Sequence, residues 1–225
     1  MVFKLGGPGR SGIKNKKTNR PWWPDLEPKC VLYFPMNEGG GTSLRDHGGQ
    51  NNHGTITGAS WYKGEALDFD GSDDYVEATK INLAAVGSIS IWFNARDVTN
   101  AGTLFGTVTA DTERFYLGVA GGEARGTFYD GSYNSKSGSV NTNTWYHAVF
   151  VWDGSTPKLY LNGVEQTGTT NAALRAAQRT TIGISTNLTD YPFNGIIDEV
   201  VVFNEALTAA QIKDLYEKGR SKHGV

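Results

Sequence analysis

From Cys30 onward the chain alternates short apolar runs with breaks rich in glycine, aspartate and asparagine. Ser88-Ile89-Ser90-Ile91-Trp92-Phe93 alternates strictly, which places Ile89, Ile91 and Phe93 on one face of a strand. Residues 31–34, 66–69, 75–78, 115–119, 126–129, 180–183 and 196–203 also read as strands. Trp145–Trp152 is apolar almost throughout and predicts a central strand buried on both faces. Asn162-Gly163, between residues 158–161 and 164–166, is a hairpin signal because both turn positions need a positive φ.

One helix is predicted near the end of the sequence. Thr208 and Gln211 have the spacing of a capping box, and Ile212, Leu215 and Tyr216 then share a face. Lys218 fits the last turn and Gly219 the stop, so the helix is expected to span about ten residues. A helix that short needs tertiary packing to persist. Many strands, frequent turns and almost no helix define an all-β sandwich or jelly roll.

Composition changes this picture at one place. The 225 residues include 29 glycines, 12% aromatics and 20% charged residues, and the net charge is −2. Residues 1–29 nevertheless carry seven basic side chains against two acidic ones, which leaves an acidic body. Their glycines and prolines break any periodic pattern, and Trp22-Trp23 is their only strongly apolar spot. We read residues 1–29 as an extended basic arm and residues 30–225 as the folded domain. Lys14, Lys16, Lys17, Arg20, Trp22 and Trp23 are the residues by which the arm would attach to neighbouring protein subunits; a solvated leader is the alternative. The net charge argues against nucleic acid as a partner. Neither a membrane-spanning run nor a secretory signal is seen, and Cys30, the single cysteine, leaves no intrachain disulfide.

Several segments resemble the laminin-G-like jelly rolls of the concanavalin-A-like lectin/glucanase superfamily. They are residues 34–42 with the loop 46–54, residues 66–76, the Trp145-Tyr146-His147, Trp152-Asp153-Gly154 and 159–163 pieces, and the closing stretch 193–212. They occur in the family's order and cover roughly residues 30–219, while the arm has no counterpart. The resemblance implies two facing antiparallel sheets of about six or seven strands each, and binding of glycans or proteins rather than catalysis as the usual role. It also implies that many members hold calcium, and that Asp198 would approach the loop 46–54 from the other end of the chain.

Calcium needs six to eight hard oxygens, which loops of Asn, Asp and Gly can supply. Asp46, Gly49, Asn52 and Gly54, with Asp198 by resemblance, are the candidate calcium ligands; turn residues making Asx bonds are the alternative. Asp68, Asp70, Asp73 and Asp74 read instead as a hairpin turn, since the twelfth position from Asp68 is Thr79 and not glutamate. Tyr129, Tyr133 and Tyr191 sit among turn residues, where an aromatic face can stack on a sugar ring or merely cover a sheet rim. Hydrolysis of a glycoside needs a carboxylate pair across the sugar. No Glu-x-Asp-x-x-Glu pattern occurs, and the neighbours Asp198 and Glu199 should point to opposite faces of their strand. His47, His53, His147 and His223 stand in no triad context, and His147 is expected to be a satisfied core or edge residue.

The expectation is a non-catalytic binding module on a virion surface, such as a bacteriophage decoration or adhesion protein, or in an extracellular setting. Its expected partners are neighbouring subunits through residues 1–29 and a cell-surface glycan. A free-standing lectin and a glycoside hydrolase of the same fold are the alternatives.

Overall fold

The alternating runs pair into two antiparallel sheets. A computed structural model of the protein describes residues 24–78, 81, 83–108, 114–129, 133–154, 157–169 and 179–225. One sheet runs, in spatial order, through Val164–Glu165, Lys158–Leu161, Trp145–Trp152, Gly87–Ala95, Asn194–Phe203, Ala66–Asp70 and Ser60–Tyr62. The strand Cys30–Phe34 pairs with Asn194–Phe203, so the first strand of the domain lies beside the last. The facing sheet runs through Gly168–Thr169, Tyr133–Ser139, Glu123–Tyr129, Arg114–Ala120, Gly102–Val108, Arg179–Ile182, Tyr75–Ala78, Gly54–Thr57 and Ser43–Leu44. Among the described residues the sheets have eight and nine strands, more than the expected six or seven, partly through two-residue edge strands.

The alternation sorts side chains between two cores. Ile89, Ile91, Phe93, Ala148, Phe150 and Trp152 turn inward and pack between the sheets. Val149, Val151, Val201 and Phe203 turn to the opposite face, where Leu207, Ile212 and Leu215 cover them. This second core explains why Trp145–Trp152 is apolar on both faces. Burial of each large aliphatic side chain there contributes about 1.5–3 kcal/mol, which compensates for a helix too short to stand alone. Asn162 and Gly163 turn the hairpin with φ of 49° and 80°.

The C-terminal helix spans Ala209–His223 and starts with the expected capping box, in which Thr208 N–H donates to Gln211 Oε1 at 2.8 Å. It does not stop at Gly219. A Cβ at Gly219 would lie 2.8 Å from Trp92 Cζ2, so the glycine is there for close approach, and the C-cap is Gly224 at φ 72°.

Pro24–Lys29 forms a 3-10 helix whose Leu26 is buried in the second core, and Lys29 pairs with Glu205. These six residues are therefore joined to the domain. Lys14, Lys16, Lys17, Arg20, Trp22 and Trp23 lie outside the described residues.

Candidate functional site

The loop between Leu44 and Gly54 is organised by one carboxylate. Asp46 is buried at the free edge of Cys30–Phe34. Its Oδ1 accepts from the N–H of Tyr33 at 2.9 Å and of Gly48 at 2.7 Å, and its Oδ2 from Asn52 N–H at 2.9 Å. Asn52 Nδ2 donates to Val31 O at 2.7 Å, and His47 N–H to Tyr33 O at 2.8 Å. Gly48 fits closely there, since a Cβ would lie 3.0 Å from both Asp46 Oδ1 and Cys30 Sγ. The loop encloses an open polar pocket of about 540 Å³ whose walls include Arg45, Asp46, His47, Gly49, Asn51 and His53. Burial of the His47 ring pushes its pKa below the usual histidine range, and the ring stands edge-on to Tyr33.

The expected calcium ligands do not converge. Asp46 spends both oxygens on three amide hydrogens, as an Asx-type loop anchor does. Gly54 is a strand residue packed into the core, where a Cβ would meet Val76 Cγ1 at 2.8 Å. Asp198 is held on the helix side of the sheet, 2.8 Å from Lys222 Nζ and 3.0 Å from His223 Nε2. Tyr33 stands between the two acids, its amide on Asp46 and its hydroxyl donating to Glu199 Oε2 at 2.6 Å. The residues named from the sequence thus do not fit a calcium ion in this arrangement.

Asp198 belongs to a buried charge cluster that strand alternation conceals. Glu199 has a φ of 50°, and the pairing register shifts between Asp198 and Val201. This bulge lies where one edge of the strand changes neighbours, from Ala66–Asp70 to Cys30–Phe34. A bulge cancels the period of two, so both carboxylates reach Lys222 Nζ at 2.8 Å instead of pointing apart. Burial, reinforced by Asp198, raises the Glu199 pKa, and burial next to Glu199 raises that of Tyr33. Burial works to lower the Lys222 pKa, but the two carboxylates outweigh it and raise it.

Trp92 stacks on His223 with ring centroids 4.1 Å apart and on His147 at 4.9 Å. His147 Nε2 lies 2.7 Å from Ser90 Oγ, while its Nδ1 and Trp92 Nε1 have no hydrogen-bond partner among the described residues. His147 is therefore a core residue but only half satisfied. Burial, with His223 nearby, pushes its pKa down to about 3.

The three tyrosines occupy two ends of the facing sheet. Tyr129 and Tyr133 are cross-strand partners at one end of their hairpin. Tyr191 lies at the opposite end, where its carbonyl accepts from Thr103 N–H at 2.8 Å, and it is 48% exposed. Seven-residue strands separate the ends by roughly 20 Å. Asp70, Asp73 and Asp74 bring carboxylate oxygens within 4.8 Å of one another. Internal bonds tie this turn, from Asp70 N–H to Asp74 Oδ2 and from Ser72 N–H to Asp70 Oδ1, both 2.8 Å.

Two antiparallel sheets with paired first and last strands and a helix on the outer face define a jelly-roll module of lectin-like architecture. The chain belongs to the concanavalin A-like lectin/glucanase superfamily, whose laminin-G family model matches residues 70–213. Among solved structures it is similar to domain 4 of AbnA, a GH43 extracellular arabinanase from Geobacillus stearothermophilus, in complex with arabinotriose. That match has a TM-score of 0.71 and 23% identity, over 84% of this chain and 98% of the other. The receptor binding domain of botulinum neurotoxin D superposes with a TM-score of 0.71 at 16% identity, over 86% of this chain and 53% of that one. The serotype D ligand binding domain in complex with N-acetylneuraminic acid gives 0.70 at 15% identity, over 87% and 52%. The chain thus spans about half the length of the toxin domains. No curated protein matches it in sequence. Among the described residues no helix is long and apolar enough to cross a membrane.

Proposed function

We propose that the protein is a non-catalytic glycan-binding module. The observation that carries this reading is the fold shared with nearly the whole of an arabinanase domain whose structure holds an oligosaccharide. The exposed ring of Tyr191, set on a loop pinned at Thr103, supplies an aromatic face of the kind that stacks on sugars. Tyr129 and Tyr133 form a second candidate contact at the far end of the sheet. The superfamily includes glucanases, but the adjacent carboxylates Asp198 and Glu199 are buried beneath the helix and share Lys222, where no sugar reaches them. Affinity electrophoresis through gels containing arabinan, xylan or β-glucan tests the reading, with a reducing-sugar assay on the same polysaccharides. Retardation by at least one polysaccharide without new reducing ends is expected. Release of reducing ends would make the protein a hydrolase.

We further propose that residues 1–29 tether the module to a larger assembly, with a virion surface as the setting. The excess of basic residues in that segment supports this, and multivalent display raises the avidity of weak glycan contacts.

A further inference from the structure

We propose that the pocket at residues 43–53 binds an acidic sugar, one whose ring carries a carboxylate or a sulfate ester, and that Arg45 grips the anionic group. This deepens the glycan reading and rests on it. The volume, about 540 Å³, falls in the range of small-ligand pockets and suits one or two sugar rings. Arg45 is the distinguishing feature. Arg96, Arg125, Arg179 and Arg220, the other arginines with described side chains, each pair with a carboxylate. The Arg45 guanidinium makes no ion pair or hydrogen bond among the described residues, and Arg45 is one of the residues that line the pocket.

The acids near Arg45 accept backbone N–H groups and not its guanidinium. Asp46 accepts three backbone N–H groups, and Glu38 Oε1 accepts from the Arg45 N–H at 2.9 Å. The rest of the wall offers donors. Asp46 N–H donates to His53 Nδ1 at 3.1 Å, which fixes that ring against the wall. Asn51, held at φ 56°, and Ser43 add an amide and a hydroxyl to the rim. An unpaired guanidinium fork beside neutral donors is matched to a planar carboxylate or a sulfate on a polyhydroxylated ring.

The test is an NMR amide titration of the full chain with methyl glucuronide, glucose 6-sulfate, methyl glucoside and inorganic sulfate. Shifts centred on residues 45–53 are expected with the glucuronide, the sulfated sugar or both, and the responding arm names the anion. Arg45→Ala is expected to weaken that binding at least about tenfold, as loss of a charge-assisted bond does, and Arg45→Lys to retain part of it. Arg45 is exposed, so neither variant disturbs the fold. Equal binding of methyl glucoside, indifference to Arg45→Ala, or an equal response to inorganic sulfate alone overturns the proposal. Shifts around Tyr191 with residues 43–53 silent overturn it while leaving the glycan reading intact, whereas failure to bind any glycan removes both.

Discussion

His147 shows how one side chain carries an energetic consequence that its neighbours in sequence conceal. Its folded pKa of about 3 lies below the ordinary 6.5. Between those values the unfolded chain binds the additional proton, so stability rises with pH. The contribution is fully present above pH 6.5 and is lost as pH falls toward 3, at about 1.4 kcal/mol per unit. We expect chemical denaturation across this window to show a steep acid limb that His147→Gln flattens; an unchanged slope would mean the ring is not buried neutral. Lys222 predicts the opposite flank. Its folded pKa is raised above 10.5, so its contribution is present below that value and is lost as pH rises through the folded pKa. Lys222→Ala leaves two buried carboxylates without their cation and should cost about 3–5 kcal/mol in the same assay. At this scale the sequence was partly opaque. His147 was recognisable as a core residue from its apolar strand, but Lys222 is simply a charged residue near the end of the chain, and nothing local shows that a bulge aims two acids at it.

Elements follow alternation where the period of two holds and depart from it where backbone geometry intervenes. The faces of Gly87–Ala95 and Trp145–Trp152 were legible because inward and outward residues differ in type or are uniformly apolar. The bulge at Glu199 was not, since an extra residue leaves no mark on a run of valines and isoleucines. Gly54–Thr57 was not legible because Gly54 reads as the end of the polar loop 46–54, whereas the structure uses it to admit Val76 and Phe34. The C-terminal helix gives the sharpest test. Alanine favours helix over glycine by about 1 kcal/mol, so a surface position would be stabilised by Gly219→Ala. Here the new methyl enters the Trp92 ring, and we expect a loss of about 1–3 kcal/mol, read as a lower melting temperature. A rise in melting temperature would refute the account of why the helix continues through Gly219.

For the whole molecule, the closing of the sandwich by its first and last strands was legible from the family-like segments at both ends of the domain. The calcium set was not, because resemblance orders segments along the chain but does not say which side of a strand each carboxylate occupies. The described fold joins Pro24–Lys29 to the domain through Leu26 and Lys29. Removal of residues 1–23 should leave the melting temperature within about 2 °C of the full chain while abolishing any co-assembly with subunit partners. Removal of residues 1–29 should lower it, because Leu26 leaves the second core. Equal destabilisation by both deletions would assign residues 1–23 to the fold. The claim on which all else depends is that this sandwich recognises sugars, and a glycan array probed with the labelled full chain measures it most directly. Saturable binding to a defined set of glycans, the printed sugars remaining intact by mass spectrometry, is the predicted result. Silence across the array, or cleavage of the glycans bound, would contradict it.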